Sequence, residues 1–281
     1  MTSIPAARDV QSIDTERVTS PLGGFNFKAV RLEITRVLRN RRTLFFIIVF
    51  PSLFFFMFGL SNKQARAAGG PVLAYIMISM AVYGAMVGTT SGGASVALER
   101  SLGWSRQLRL TPLRPAAYIL MKILASMTLG FLAVGSTFTI GALNGVHMPA
   151  ETWLLCGLAA WLASLVFAAF GLLVGFLFPA ENVMQFVGPL LAIMALFGGL
   201  FAPLNTLPQG IQTVARYTPM YGVSALAHAP LIANATMWDA RMGSVFGATN
   251  DTMWAISSVA LWTIAFGIGA MVMFRRDTAR V

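Results

Sequence analysis

Charge is what this sequence has least of. Only 11% of its 281 residues are Asp, Glu, Lys or Arg, where a soluble domain carries roughly 25%. A water-soluble enzyme or binding module is excluded on that ground. Acid is scarcer than base, ten against twenty, giving a formal net charge of +10. Cys156 is the one cysteine, so no intrachain disulfide can form. His147 and His228 lie far apart, with no cysteine or carboxylate cluster beside them, which argues against a metal site. His228 reads as a packed or interfacial side chain rather than a proton relay. There is no G-x-x-x-x-G-K-S/T phosphate loop and no G-x-S-x-G nucleophile turn. The chain reads as a non-enzyme with no cofactor of its own.

What is present is apolar length. Hydrophobic residues make up 57% of the chain and the mean hydropathy is +0.72. Several windows reach the ~18 apolar residues that mark a membrane-crossing helix. The ~10-residue alternating segments of an outer-membrane barrel are missing. The expected fold is all-α and polytopic, with six spans at about 43–60, 72–98, 116–142, 152–178, 183–204 and 252–274. Pro51 is expected to kink the first. Residues 1–24 are polar, lack the apolar core of a cleavable signal and read as a disordered cytoplasmic tail. Over residues 25–42, Phe27, Val30, Ile34, Val37 and Leu38 recur at helical spacing while Lys28, Arg31, Arg36 and Arg39 take the remaining surface. That pattern predicts an amphipathic helix lying along the membrane surface. Residues 43–275 form the transmembrane domain and 276–281 a second cytoplasmic tail. Between spans five and six, a half-apolar stretch punctuated by Gly and Pro predicts re-entrant or interfacial helices on the outer side.

The basic residues sit at span ends, so they set topology and touch anionic lipid headgroups rather than nucleic acid. Arg39, Arg41 and Arg42 precede span one; Arg100, Arg106, Arg109, Arg114 and Lys122 lie between spans two and three; Arg275, Arg276 and Arg280 follow span six. Both termini and the segment Glu99–Pro115 are therefore expected in the cytoplasm. Glu99, Glu151, Glu181, Asp239, Asp251 and Asp277 all fall at or beyond span ends. An ion-coupled carrier needs a buried ionisable group, and none is evident in the sequence.

"ERSLGWSRQLRLTPLRP", Glu99 to Pro115, carries four arginines, each costing about 2.5–3.5 kcal/mol in hydrocarbon. It must lie outside the bilayer core. Thr111-Pro112 is a helix stop, and Trp104, Leu102, Leu108 and Leu110 give the segment apolar surface. It is either a topology-setting loop or a rigid helix presented to a partner. Within the spans, Gly84, Gly88 and Gly92 form a stripe that permits close helix approach. Met80, Met86, Met184, Met194, Phe186 and Phe197 offer either an adaptable apolar wall or ordinary bundle packing.

The series Glu99, Arg100, Gly103, Gln107, Leu108, Thr111, Pro112, Leu113, Pro115 and Lys122 resembles the cytoplasmic loop of ABC-2 type transporter permeases. "LFGGLFAPLNTLPQGIQTVARYTPMYGVSAL" is similar to that family's outer segment, and "EITRVLRNRRTLFFIIVFP" to its connecting helix and first span. The resemblance implies a bacterial inner-membrane exporter subunit that pairs with a second permease, as a homo- or heterodimer. Two copies of a separate ATPase, carrying the ATP and Mg, would drive it. It implies a coupling helix whose contacts with the ATPase are Glu99, Arg100, Trp104, Arg106, Gln107, Leu108 and Thr111. Many family members have an acid just before the Gln-Leu pair, where this chain has Arg106. The turn Phe178 to Asn182 would be a lesser second contact. Val30, Ile34, Val37 and Arg39 would belong to the connecting helix. A translocation path along spans two and five would involve Met80, Gly84, Gly88, Met184, Phe186, Met194 and Phe197. An apolar path suits hydrophobic drugs, natural products or lipids. The competing readings are an ion-coupled secondary transporter and a non-transporting scaffold.

Overall fold

The computed structural model describes residues 24–61, 70–103, 113–234 and 251–279, with side chains as far as 277. The described residues contain helices and turns and no strand. The helices are α1 (Phe27–Arg39), α2 (Arg41–Leu60), α3 (Gly70–Ser101), α4 (Pro115–Leu143), α5 (Ala150–Leu177), α6 (Val183–Phe197), α7 (Gln209–Arg216), α8 (Pro219–Ile232) and α9 (Thr252–Ala279). Residues 1–23 and the segment 104–112 lie outside the described residues, and with them the expected tail and most of the basic segment.

Local chemistry places the boundaries. The Asn26 side chain accepts from the Lys28 amide at 2.8 Å and starts α1. Asn40 ends α1 and caps α2, accepting from Thr43 N at 3.2 Å. Pro115 and Pro219 open α4 and α8 at a position where a missing N–H costs nothing. Pro51 stays inside α2, which passes into a π turn over Phe56–Leu60. Gly103, with φ +76°, ends α3 in the left-handed conformation that glycine adopts without strain.

Among the described residues five helices, α2, α3, α4, α5 and α9, are long and apolar enough to cross a membrane. The expected fifth span over 183–204 differs: α6 stops at Phe197, and Gly199 turns the chain with φ +69°. Its 15 residues reach about 22 Å at 1.5 Å per residue, short of the roughly 30 Å hydrocarbon core. A hydropathy window runs through the Gly198-Gly199 turn without registering it.

α3 is the centre of the bundle, packed against α4, α5, α2 and α8. Gly84, Gly88 and Gly92 face α2 and α4: a Cβ at Gly84 would strike the Pro51 ring, and one at Gly92 would lie 2.9 Å from Ser126 Cα. On another side of α3, a Cβ at Gly93 would lie 2.6 Å from the Ala168 carbonyl oxygen, and one at Gly171 2.8 Å from Thr90 Cα. α3 and α5 thus touch backbone to backbone.

The stretch expected to hold outer-side helices forms α7 and α8. α8 packs on α5 and α9. Trp254 and Trp262 of α9 donate their indole N–H groups to the carbonyls of Arg216 and Tyr217, at 3.1 and 3.0 Å. His228 is packed, with its ring stacked on Tyr75 at 4.1 Å and Nδ1 2.8 Å from the Ser224 carbonyl oxygen. His147 is exposed, and among the described residues no cluster of His, Cys, Asp and Glu has metal-binding geometry.

Candidate functional site

The charges collect at one end of the bundle, where α3, α5 and α9 finish and α2 and α4 begin. α1 lies there against α4. Val30 is buried, and Ile34 and Val37 are half-buried; Val37 and Leu44 pack on Ile47, Leu129 and Ala133. Arg39 is exposed. Val30, Ile34 and Val37 of the apolar stripe, expected to meet lipid, are thus turned onto the protein, while Phe27 and Leu38 stay exposed. This packing also turns Glu33 and Arg36, one helical turn apart and 3.1 Å from each other, toward the bundle.

α4 presents Tyr118 and Lys122 on one face, four residues apart. Glu99 enters between them from the last turn of α3. Lys122 Nζ lies 2.6 Å from Glu99 Oε1 and 2.9 Å from Glu33 Oε2. The Tyr118 hydroxyl donates to Glu99 Oε2 at 2.9 Å, and Arg36 donates to Glu99 Oε1. Burial opposes the charge on Arg36, but the hydrogen bond to Glu99 and its charge outweigh it and hold the guanidinium pKa above its ordinary value. Lys122 is 3% exposed and Glu99 6%. The cluster is two acids and two bases, so its formal charge sums to zero.

Arg100, the next residue, points the other way. Its Nη1 donates to the carbonyls of Gly175 and Phe176 at 3.0 and 2.8 Å, and its Nη2 meets Asp277 Oδ1 at 2.8 Å. Glu99 therefore ties α3 to α1 and α4, while Arg100 ties it to α5 and α9. These two adjacent residues anchor five helices immediately before the segment 104–112. Arg100→Gln is expected to lower stability by about 2–3 kcal/mol, since hydrogen bonds to charged groups contribute about 1.5–3 kcal/mol. Thermal unfolding of the purified chain in detergent measures it.

Several expected site residues stand elsewhere than the sequence suggested. Glu99 is buried and its carboxylate needs partners, which it finds within this chain; Arg100 is half-buried and also bonds within this chain, while lining the cavity at the end of α3. Trp104, Arg106, Gln107, Leu108 and Thr111 lie outside the described residues. The turn Phe178 to Asn182 does come close to the end of α3. A cavity of about 950 Å³ lies between Leu98, Ser101 and Gly103 on one side and Phe178 and Glu181 on the other.

The path residues separate into two sets. Met80, Gly84 and Gly88 are buried in the chain's own packing, so span two offers no free wall at these positions. Met184 and Phe186 of α6 are exposed, while Met194 and Phe197 are half-buried. Phe186 stacks on Phe178 with ring centroids 5.0 Å apart.

Sequence reasoning missed Glu33, Arg36, Tyr118, Lys122 and Asp277 as site residues. It read Lys122 as a topology marker and found no buried carboxylate, yet Glu99 is one. A signal was available: Glu33 is the single acid in a basic helix, and Lys122 lies a full two turns inside an apolar span.

Comparison with known proteins agrees with this architecture. The model of the ABC-2 family transporter proteins matches residues 61–274. Over 192 residues the chain is 28% identical to a protein of Bacillus subtilis (strain 168) that carries the name transport permease YvfS; the match covers 67% of this chain and 78% of that one. With its apolar helices gathered around a buried α3 and its charges paired at one end, the chain belongs to the ABC-2 transporter family and is a multi-pass membrane transport permease.

Proposed function

We propose that the chain is the membrane subunit of an ABC exporter, driven by ATP hydrolysis in a separate ATPase subunit. The observation that carries this reading is the pair of adjacent anchors on α3, Glu99 and Arg100, bound to four other helices at the base of the basic segment. A push on residues 104–112 is delivered at once to α1, α4, α5 and α9, because the junction is held by charge pairs that resist being stretched apart. The charged end faces the cytoplasm by the positive-inside rule. Two copies of the ATPase would contact Trp104, Arg106, Gln107, Leu108 and Thr111, with Phe178–Asn182 as the lesser contact. Two permease chains would enclose the path, and α6 with the turn after it would complete a sixth crossing. Exposed Met184 and Phe186 then face the path or the second subunit. An apolar wall suits a hydrophobic or amphipathic drug, natural product or lipid, exported through a bacterial inner membrane.

The test is Leu108→Asp in the chain purified together with its ATPase. Stimulation of ATP hydrolysis is expected to fall at least tenfold, with membrane insertion unchanged. Coupled transport at the unmodified rate would refute the assignment of this segment. Glu99 and Lys122 are the observation favouring an ion-coupled carrier. Their charges are matched, however, and they sit at the end of the bundle rather than along a crossing route. Transport driven by a proton gradient with no ATPase present would support that reading instead.

A further inference from the structure

α1 packs on α4, with Val30 buried, Ile34 half-buried and Val37 against Leu129 and Ala133, and directs Glu33 into the charge cluster. The rest of its surface is left to the surroundings and carries Lys28, Arg31 and Arg39, all exposed, beside Leu32 at 70% exposure; Phe27, at the start of the apolar stripe, is 77% exposed as well. Arg41 and Arg42 continue the exposed cations into the first turn of α2. Among the described residues these five cations have no acid partner, because Glu33 is taken up by Lys122 and Arg36. Immediately beyond them, Phe45 and Phe46 begin the exposed apolar face of α2, at 58% and 44%. The cations therefore stand where apolar span gives way to polar end, the level of lipid headgroups.

From this arrangement we propose that the outward face of α1, continued by Arg41 and Arg42, is a docking surface for anionic phospholipid headgroups. The middle of the apolar stripe, Val30, Ile34 and Val37, holds the protein, and the basic face together with Phe27 meets the lipid. Charge complementarity and continuity with the exposed face of α2 favour a lipid surface over an acidic protein. Interleaved Phe27 and Leu32 insert at the acyl boundary while arginines take the phosphates. Because α1 is bonded to Glu99 and Lys122, the docked headgroups bear on the same junction that holds α3 to α4.

The experiment uses the full chain in detergent and measures the rise in thermal midpoint as phosphatidylglycerol or phosphatidylcholine is added. The unmodified chain is expected to respond to phosphatidylglycerol at a concentration at least fivefold lower, and to lose that preference in 0.5 M salt; one cation near a charged surface accounts for about fivefold. The variant Lys28→Gln/Arg31→Gln/Arg39→Gln should lose the preference, while Arg31→Lys/Arg39→Lys should keep it. Equal response of the unmodified chain to both lipids would overturn the proposal. So would retention of the preference in the glutamine variant. Should that variant keep its lipid preference and lose association with the ATPase, the surface belongs to a protein partner and the proposal is again overturned. None of these readings requires transport, so failure here is distinct from failure of the exporter reading.

Discussion

Replacing Lys122 by methionine is expected to destabilise the protein by about 3–5 kcal/mol, the cost of breaking a buried ion pair from one side. The reason is the balance of the cluster. With Lys122 gone, Glu33 and Glu99 share a single cation, Arg36, and Glu99 is 6% exposed, so water cannot replace the lost charge. Glu99→Gln leaves the mirror problem, Lys122 and Arg36 against Glu33 alone. The double variant Glu99→Gln/Lys122→Met removes one charge of each sign and restores balance. It is expected to be less destabilised than the sum of the single variants by at least about 1 kcal/mol, the coupling typical of contacting residues. Denaturant or thermal unfolding of the four proteins in detergent closes the cycle. Additive single effects would show that the pair does not act as a unit.

The second large effect is expected at the crossing of α3 and α5. Gly171→Leu should abolish accumulation of folded protein in the membrane. A Cβ there would lie 2.8 Å from Thr90 Cα, and the reciprocal contact, Gly93 onto Ala168 O at 2.6 Å, is also with backbone. Main chain inside a helix cannot swing aside as a side chain can. Both helices would have to separate along their buried length, beyond the ordinary 1–3 kcal/mol cost of overpacking. Gly135→Leu is the matched control, because Gly135 is exposed and nothing lies within 4 Å of its Cβ position. It should accumulate as the unmodified chain does. Fluorescence size-exclusion profiles of the solubilised proteins distinguish the outcomes, and normal accumulation of Gly171→Leu would contradict the close crossing.

Five long helices were legible because apolar length is a local property, and the observed spans match the expected ones to within a few residues at most ends. α1 was legible as a helix, but its orientation was not. Periodicity shows that a stripe exists and leaves open whether lipid or protein covers it; here α1 lies on α4, with Val30 buried and Val37 against Leu129 and Ala133. The point at which the helix of the expected fifth span ends was not legible, for a different reason. Hydropathy averages over Gly198 and Gly199, whereas the chain turns there through a left-handed glycine. The charge cluster depended on partners 63 and 23 residues from Glu99, namely Arg36 and Lys122. No window over the sequence brings them together. The path assignment over α3 was drawn from residue type, and small or sulfur-bearing side chains serve packing equally well, as Met80, Gly84 and Gly88 do.

In the proposed exporter, work done by a separate ATPase enters this permease through the segment anchored by Glu99 and Arg100. The most direct test uses sealed vesicles containing the permease, with and without a co-purified ABC ATPase. Uptake of a hydrophobic fluorescent dye would be followed after addition of ATP, with no ion gradient imposed. The predicted result is uptake that requires both chains and ATP, and that falls at least tenfold when Leu108 is replaced by Asp. Uptake at full rate by the permease alone, under a proton gradient and without ATP, would contradict it.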